Sequence, residues 1–242
     1  MNSREESASV HNNAHDTLAE CKKNSTVLSA GQRRELMLRL KKSIPDPRSS
    51  LNFHNPFELL CAVVLSAQAT DVSVNKITPG LFAAAPDARA MAALGEEKIA
   101  RIIKSIGLWR AKSRNLAGLS SQLCEKYGGK VPQTYAELAA LPGVGSKTAK
   151  VVLNVAFGQP CIAVDTHIFR VCCRTGMCPG KNAAAVEKKL PELIEDEFKL
   201  QAHHLLLLHG RHVCKARSPC CDCCVIASLC LTRRAQTGTE TT

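Results

Sequence analysis

The stretch LPGVGSKTAK, Leu141–Lys150, holds a two-glycine turn, a helix start and a lysine near the start of that helix. Gly143 and Gly145 can adopt backbone angles that are closed to other residues, so the chain can reverse sharply here between two helices. Backbone N–H groups at the start of the second helix favour an anion such as a phosphate. The stretch therefore predicts two helices joined by a phosphate-binding turn, and the alternative is a plain corner.

Lys147 lies in the first turn of the predicted second helix. The helix dipole disfavours an ammonium at that end, so a free amine is more accessible there as a nucleophile. The alternative is an ordinary solvated lysine. A phosphate-binding turn beside a candidate nucleophile indicates chemistry on nucleic acid.

The composition agrees with a globular nucleic-acid-binding protein. The chain has 242 residues, of which 45% are hydrophobic, enough for one large or two small domains. Lys and Arg outnumber Asp and Glu by 32 to 21, and a net charge of +11 favours a polyanionic partner. No apolar run approaches the roughly 20 residues that a membrane span needs. Aromatic residues are only 4%, which favours duplex contact through helices over the stacking of many bases.

The hydrophobic pattern predicts an all-helical fold, because no segment shows sustained alternation of period two. Thr134 and Glu137 form a predicted capping box for the helix that enters the turn. Asp165 is placed to cap a further helix that runs through Arg174. Residues 1–28 show no apolar period and no signal-peptide core, so we expect a disordered tail and a cytosolic protein.

Cysteines crowd the C-terminal part of the chain. Thirteen are present, an odd number, and six fall between Cys214 and Cys230, which disfavours a disulfide framework and favours reduced thiols with a metal centre. Four have the spacing Cys214-x6-Cys221-x2-Cys224-x5-Cys230. Thiolates suit zinc or an iron–sulfur cluster, and the spacing does not separate the two. Since Cys220 and Cys223 share the segment, four ligands must be chosen from six, and a metal-free reduced cluster is the remaining alternative.

Three features together resemble the endonuclease III family of base-excision DNA glycosylases. They are LPGVGSKTA, the VDTH motif whose aspartate follows Lys147 by eighteen residues, and the spacing of the four cysteines. The stretches PFELL (Pro56–Leu60) and VVLSAQATDVSVNK (Val63–Lys76) extend the resemblance, which covers residues from about Gly31 to Leu231. It implies an all-α fold of two helical domains, a six-helix helix-hairpin-helix domain and an iron–sulfur domain, with a DNA-binding cleft between them.

The resemblance also implies domain boundaries. Residues 29–50 are expected to form the first helix of the iron–sulfur domain, 51–160 the helix-hairpin-helix domain, and 161–231 the remainder of the iron–sulfur domain. The cluster loop is expected at 214–230, and a flexible tail at 232–242.

The resemblance implies a bifunctional DNA glycosylase and apurinic/apyrimidinic (AP) lyase that acts on oxidised pyrimidines in duplex DNA during base excision repair. Lys147 would attack the sugar C1′, the base would leave as a Schiff base forms, and β-elimination would cut the strand on the 3′ side. Asp165 would assist the attack and stabilise positive charge on the sugar. Both roles are compatible with Asp165 also being a helix cap.

Further site residues follow from the same resemblance. Gln68 and Leu108 are expected to enter the duplex where the base is extruded, and Gly143, Val144 and Gly145 to contact DNA through the turn. The resemblance selects one [4Fe-4S] cluster, with Cys214, Cys221, Cys224 and Cys230 as its ligands. Cys220 and Cys223 depart from the family pattern. His167, His203, His204, His209 and His212 are interpreted as packing or surface residues.

We expect a monomer that binds damaged double-stranded DNA, has no membrane partner and is cytoplasmic, associated with the nucleoid if the host is bacterial. Two rivals remain. One is a monofunctional adenine or mismatch glycosylase of the same superfamily, which would lack the lysine at position 147. The other is a non-catalytic iron–sulfur DNA-binding protein, against which the joint presence of Lys147 and Asp165 argues.

Overall fold

Every regular element in residues 27–238, the part described by the computed structural model, is a helix. The predicted all-helical fold is confirmed for that range. The helices are α1 (Ala30–Ser43), α2 (Pro56–Leu65), α3 (Asp71–Ala84), α4 (Ala88–Ile102), α5 (Trp109–Tyr127), α6 (Tyr135–Ala139), α7 (Ser146–Phe157), α8 (Thr166–Thr175), α9 (Ala183–Leu193), α10 (Asp196–His212), a short 3₁₀ helix (Ala227–Leu229) and α11 (Leu231–Thr237).

The chain divides into two compact units. Unit 1 comprises Met1–Arg48 and Ile162–Thr242, and unit 2 comprises Ser49–Cys161. Unit 2 contains the helices α2 to α7, and unit 1 contains α1 and α8 to α11. None of the helices in the described range is long and apolar enough to cross a membrane.

Unit 2 is built around α2, whose residues from Phe57 to Leu65 are all buried. The helix begins sharply because the Asn55 side chain accepts the N–H of Glu58 at 2.9 Å and Pro56 occupies the first helical position. The helix α7 packs on α2 and α6, and α4 packs on α5. A single hydrophobic core results, and it leaves the loops between the helices free to carry polar groups.

Unit 1 has its own core, to which α1, α8, α9 and α10 contribute. The predicted disordered tail, residues 1–28, extends too far along the chain, because Leu28 belongs to this core. Leu28 is buried and its N–H donates to the carbonyl of Gly176 at 3.0 Å, because an apolar side chain here completes the core. Residues 1–26 of that predicted tail lie outside the described residues.

The predicted flexible tail at 232–242 is wrong for its first six residues, which belong to α11. The carbonyl of Cys230 accepts the N–H of Arg234 at 3.0 Å, so the helix starts directly at the last cysteine. Arg233 pairs with Asp222 at 2.7 Å, and Arg234 Nε donates to the Ser228 carbonyl at 2.7 Å. These contacts hold the helix against the cysteine loop. Residues 239–242 lie outside the described range.

Candidate functional site

The two-glycine turn joins α6 to α7, as predicted. Thr134 caps α6 by accepting the N–H of Glu137 at 3.3 Å, and its hydroxyl donates to the Glu137 carboxylate at 2.6 Å. Only one of the two glycines needs its conformational freedom. Gly143 has φ +75°, and a Cβ added there would lie 2.6 Å from Asn115 Nδ2, so the turn is pressed against α5.

Gly145 plays a different part from the one expected. It is the N-cap of α7 with φ −87° and ψ 177°, an extended conformation open to any residue. A Cβ added there would meet nothing within 4 Å. Gly145 therefore leaves open space beside the N-terminus of α7, where a ligand can approach the backbone closely.

Val144 is the middle residue of the turn, Gly143 to Gly145, that is predicted to contact DNA. Its side chain is buried, and its N–H donates to the Leu141 carbonyl at 3.1 Å. These two contacts close the turn, and DNA contact by Val144 stays a prediction.

Lys147 is the second residue of α7, and it is exposed. Lys150, one turn further along the same helix, is half-buried and lies 5.9 Å from the centre of the Tyr135 ring. The two lysines therefore differ in environment although they share a helix, which makes Lys150 a matched control for Lys147.

Gln68 and Leu108 lie in two adjoining loops of unit 2. Both are non-glycine residues in the left-handed region, with φ 52° and 59°, a conformation that costs about 1–2 kcal/mol for each. Such strain persists only where the surrounding structure imposes it, and it is concentrated at functional sites. Both side chains are exposed, Leu108 by 55%. A Cβ added at Gly107 would lie 3.8 Å from the Gln68 carbonyl oxygen.

The helix α5 links these loops to the two-glycine turn. Leu108 is its N-cap, with a carbonyl that accepts the N–H of Lys112 at 3.0 Å. Asn115, two turns along α5, is the residue against which Gly143 packs. At about 1.5 Å per residue, Leu108 and Asn115 are separated by roughly 10 Å along the helix. Unit 2 thus gathers Gln68, Leu108 and the turn on connected elements.

Asp165 is carried by unit 1, where it caps α8 as predicted. One carboxylate oxygen, Oδ1, accepts the N–H groups of His167 and Ile168, each at 2.9 Å. These two bonds hold the half-buried carboxylate in one orientation. A carboxylate held in this way can serve as a base or a charge partner without rearrangement.

The four spaced cysteines also belong to unit 1, and together they line one cavity of about 170 Å³. Within residues 27–238, no three His, Cys, Asp or Glu side chains converge on a point that could hold a single metal ion. Thiols are soft donors, and four of them around one cavity form a donor set that suits an iron–sulfur cluster.

Two buried arginines support the cysteine segment, and the sequence reasoning missed both. Arg170 donates to the carbonyls of Cys214 (2.9 Å) and Gly210 (2.8 Å). Arg174 donates to the Lys215 and Ala216 carbonyls and lies 3.8 Å from Cys214 Sγ. Their positive charge compensates the negative charge of thiolates. The available signal was two arginines four residues apart on α8, a helix that is otherwise mostly buried.

His203, His204 and His209 are buried, His167 is half-buried and His212 is exposed, in line with the packing or surface roles interpreted from the sequence. Burial lowers the pKa of His167, which lies 3.2 Å from Arg170 Nη2. Burial also lowers the pKa of His209 to about 4, and its Nε2 lies 3.7 Å from Cys224 Sγ. His209 therefore borders the cysteine cavity, which the sequence did not indicate. Burial raises the pKa of the Cys230 thiol to about 11.

Comparison with known proteins identifies the relatives of this chain. Residues 61–196 match the HhH-GPD family, described as a superfamily of base excision DNA repair proteins. Endonuclease III of Escherichia coli (strain K12) is 53% identical over 203 residues, covering 84% of this chain and 96% of that protein. Endonuclease III of Haemophilus influenzae is 50% identical over 199 residues, covering 82% and 94% respectively.

Solved structures give the same result. The structure of a trapped endonuclease III–DNA covalent intermediate matches with a TM-score of 0.81 and 44% identity, covering 87% of this chain and all of that one. A thermostable thymine-DNA glycosylase, 24% identical, shares the fold with a TM-score of 0.75. The chain therefore belongs to the endonuclease III family within the HhH-GPD superfamily of base excision DNA repair proteins.

Proposed function

We propose that this protein is a bifunctional DNA glycosylase and AP lyase of base excision repair, and that it removes oxidised pyrimidines from duplex DNA. The observation that carries the proposal is the position of Lys147, exposed in the first turn of α7 and two residues from the open backbone of Gly145. A phosphate held at that helix end would bring the deoxyribose of a bound strand within reach of the amine.

In the proposed reaction, the neutral Lys147 amine attacks C1′ of the damaged nucleotide and the base leaves with the bond electrons. The sugar ring opens to a Schiff base between Nζ and C1′. Loss of a proton from C2′ then expels the 3′ phosphate by β-elimination, which breaks the strand on the 3′ side. Covalent catalysis of this kind divides one difficult step into two easier ones.

Asp165 is the proposed electrostatic partner of this reaction. Its carboxylate would accept the proton that the amine releases and stabilise the positive charge that develops on the sugar. The two N–H bonds to Oδ1 support the role because they fix the group without neutralising it.

Gln68 and Leu108 are the proposed wedge. A base inside a duplex is shielded by its neighbours, so it must be extruded and the gap must be filled. The support is that both residues are exposed and held in left-handed conformations, and that their loops adjoin. An apolar residue such as Leu108 suits insertion between bases.

Cys214, Cys221, Cys224 and Cys230 are the proposed ligands of one [4Fe-4S] cluster. When bound, such a cluster cross-links its cysteines and supplies one-electron redox chemistry. The protein residues provide the four thiolates, and Arg170 and Arg174 provide charge and fasten the backbone of the segment. Iron and sulfide analysis of anaerobically purified protein tests the assignment. Zinc without sulfide would refute it.

Borohydride trapping on DNA with an abasic site tests the lyase. Reduction converts a Schiff base to a stable amine, so we expect a covalent protein–DNA complex. Lys147→Gln should abolish the complex, whereas Lys150→Gln, one turn away on the same helix, should retain it. A wild-type protein that releases bases but never crosslinks would contradict the proposal.

That same outcome would favour the rival monofunctional glycosylase. A protein that binds DNA and neither releases a base nor crosslinks would favour the non-catalytic iron–sulfur protein. The proposal further includes a monomer that acts on chromosomal DNA in the cytoplasm. The bacterial origin of the relatives supports the location, the net charge of +11 supports a polyanionic partner, and the monomer stays a prediction.

A further inference from the structure

Cys220 and Cys223 are the two cysteines between Cys214 and Cys230 that are not among the four proposed ligands. Both are exposed, whereas the four proposed ligands are half-buried. Their Cα atoms are 5.6 Å apart, inside the range of about 4.4–6.8 Å that a disulfide spans, and the structure pairs them. The expectation that all thiols of this segment are reduced therefore fails for this pair.

The sulfurs of the segment are divided by direction. Cys214 Sγ and Cys230 Sγ lie 3.8 Å and 3.3 Å from atoms of Arg174 in α8. Cys224 Sγ lies 3.7 Å from His209 in α10. These sulfurs thus face the helices of unit 1. Cys223 Sγ instead lies 3.3 Å from the carbonyl oxygen of Cys220, and both residues are exposed.

The backbone around the pair is held by bonds that do not involve either sulfur. The N–H of Cys220 donates to the Val213 carbonyl at 3.0 Å, and that of Cys221 donates to the Pro219 carbonyl at 3.0 Å. The N–H of Cys224 donates to the carbonyl of Cys221 at 3.3 Å. Since these backbone bonds do not depend on the two sulfurs, we expect the disulfide to form or open with little movement of the chain.

We propose that Cys220 and Cys223 form a reversible thiol–disulfide switch whose substrate is a low-molecular-weight disulfide. One thiolate attacks the small disulfide, forms a mixed disulfide and releases one small thiol. The second cysteine attacks the protein sulfur of that mixed disulfide, closes the Cys220–Cys223 bond and releases the second small thiol. Two protein thiols are oxidised, one disulfide is reduced, and the two cysteine protons leave on the two small thiols.

The switch has a consequence for the choice of metal ligands. Cys220, unlike Cys223, borders the cavity that the four proposed ligands line. In the dithiol state its thiolate can compete for iron, whereas in the disulfide state it cannot, because both sulfurs are bonded. The disulfide therefore restricts the ligand set to the four spaced cysteines. This consequence rests on the proposed cluster, but the exchange reaction itself does not.

A thiol titration of the iron-loaded protein tests the switch. Anaerobically purified protein is equilibrated with glutathione disulfide and glutathione at increasing ratios, quenched with N-ethylmaleimide and analysed by peptide mass mapping. We expect the peptide with Cys220 and Cys223 to lose both alkylations as the ratio rises and to regain them with dithiothreitol. The iron content should stay constant throughout. In Cys220→Ser or Cys223→Ser, the remaining cysteine should carry one glutathione instead.

Two results would overturn the switch. In one, Cys220 and Cys223 stay fully alkylated at every ratio. In the other, the disulfide that forms includes Cys214, Cys221, Cys224 or Cys230, and iron is lost in proportion. The iron content before titration tests the cluster separately. Protein that holds no iron but still cycles between Cys220 and Cys223 would refute the cluster and support the switch.

Discussion

Replacing Gly143 by alanine should destabilise unit 2 through two separate effects. The residue has φ +75°, a conformation that costs an alanine about 1–2 kcal/mol. The new Cβ would lie 2.6 Å from Asn115 Nδ2 and 2.7 Å from Asn115 Cβ, too close without a shift of α5 or of the turn. Overpacking of this kind costs about 1–3 kcal/mol, so the free energy of unfolding should fall by about 2–5 kcal/mol in total.

Gly145→Ala is the matched control, because it lies two residues away in the same turn. Its φ of −87° suits alanine, and the new Cβ meets nothing within 4 Å. The small N-cap preference for glycine and the lower entropy of the unfolded alanine chain oppose each other, so the change should stay under about 1 kcal/mol. The methyl group projects into the space proposed for a phosphate, and DNA affinity should fall about tenfold, or about 1.4 kcal/mol.

Urea unfolding followed by circular dichroism measures the stabilities, and fluorescence anisotropy with abasic DNA measures binding. The double variant Asn115→Gly/Gly143→Ala removes every side-chain atom of residue 115 from the clash, Cβ included, but keeps the strained backbone at residue 143. It should therefore recover about 1–3 kcal/mol relative to the sum of the single variants. Equal stability of Gly143→Ala and wild type, or equal destabilisation by both glycine variants, would refute the reasoning.

Three further predictions concern unit 1. The free energy of unfolding of Asp165→Asn should lie within about 0.5 kcal/mol of the wild-type value because asparagine also caps helices, whereas that of Asp165→Ala should fall by about 0.5–2 kcal/mol. Both variants should slow base excision in single-turnover assays. An Asp165→Asn enzyme of full activity would exclude the proposed carboxylate role. Gly210→Ala places a Cβ 2.9 Å from His167 Cβ and 3.0 Å from the His167 carbonyl oxygen. The free energy of unfolding, measured by thermal unfolding, should therefore fall by about 1–3 kcal/mol. An unchanged Tm would contradict this close approach of α8 and α10. Burial lowers the pKa of His167 and His204 in the folded state, so the unfolded chain binds more protons than the folded chain as the pH falls. The free energy of unfolding should therefore be full above about pH 6.5 and decline below that value, with a smaller decline in His204→Gln. A flat pH profile would show that neither ring is buried in its neutral form.

Local rules were sufficient for much of the site. The caps at Thr134 and Asp165 and the turn between α6 and α7 follow from residues within four positions of one another, the distance over which helix signals act. The same rules failed at the end of the chain. Residues 232–237 look like a polar tail, but Asp222 and the Ser228 carbonyl hold them as a helix.

Conformational requirements were less visible in the sequence. Both glycines of the turn looked necessary for unusual backbone angles, yet only Gly143 has one, because Asn115 from a distant part of the chain presses against it. Gln68 and Leu108 gave no local sign of their left-handed conformations, since neither is a residue type that favours them. Tertiary packing imposes these backbone angles, so the hydrophobic periodicity of the sequence does not predict them.

For this protein, the sequence by itself determined the helical class, the helix starts, the position of Lys147 in the first turn of α7 and the spacing of four cysteines. Each of these depends on short-range order along the chain. Tertiary structure alone decided which sulfurs face the cavity and which face each other, because Arg174 and His209, which approach the inward-facing sulfurs, lie on two other helices. It also decided which glycine is structural and which leaves room for a ligand, since that depends on the atoms of neighbouring helices.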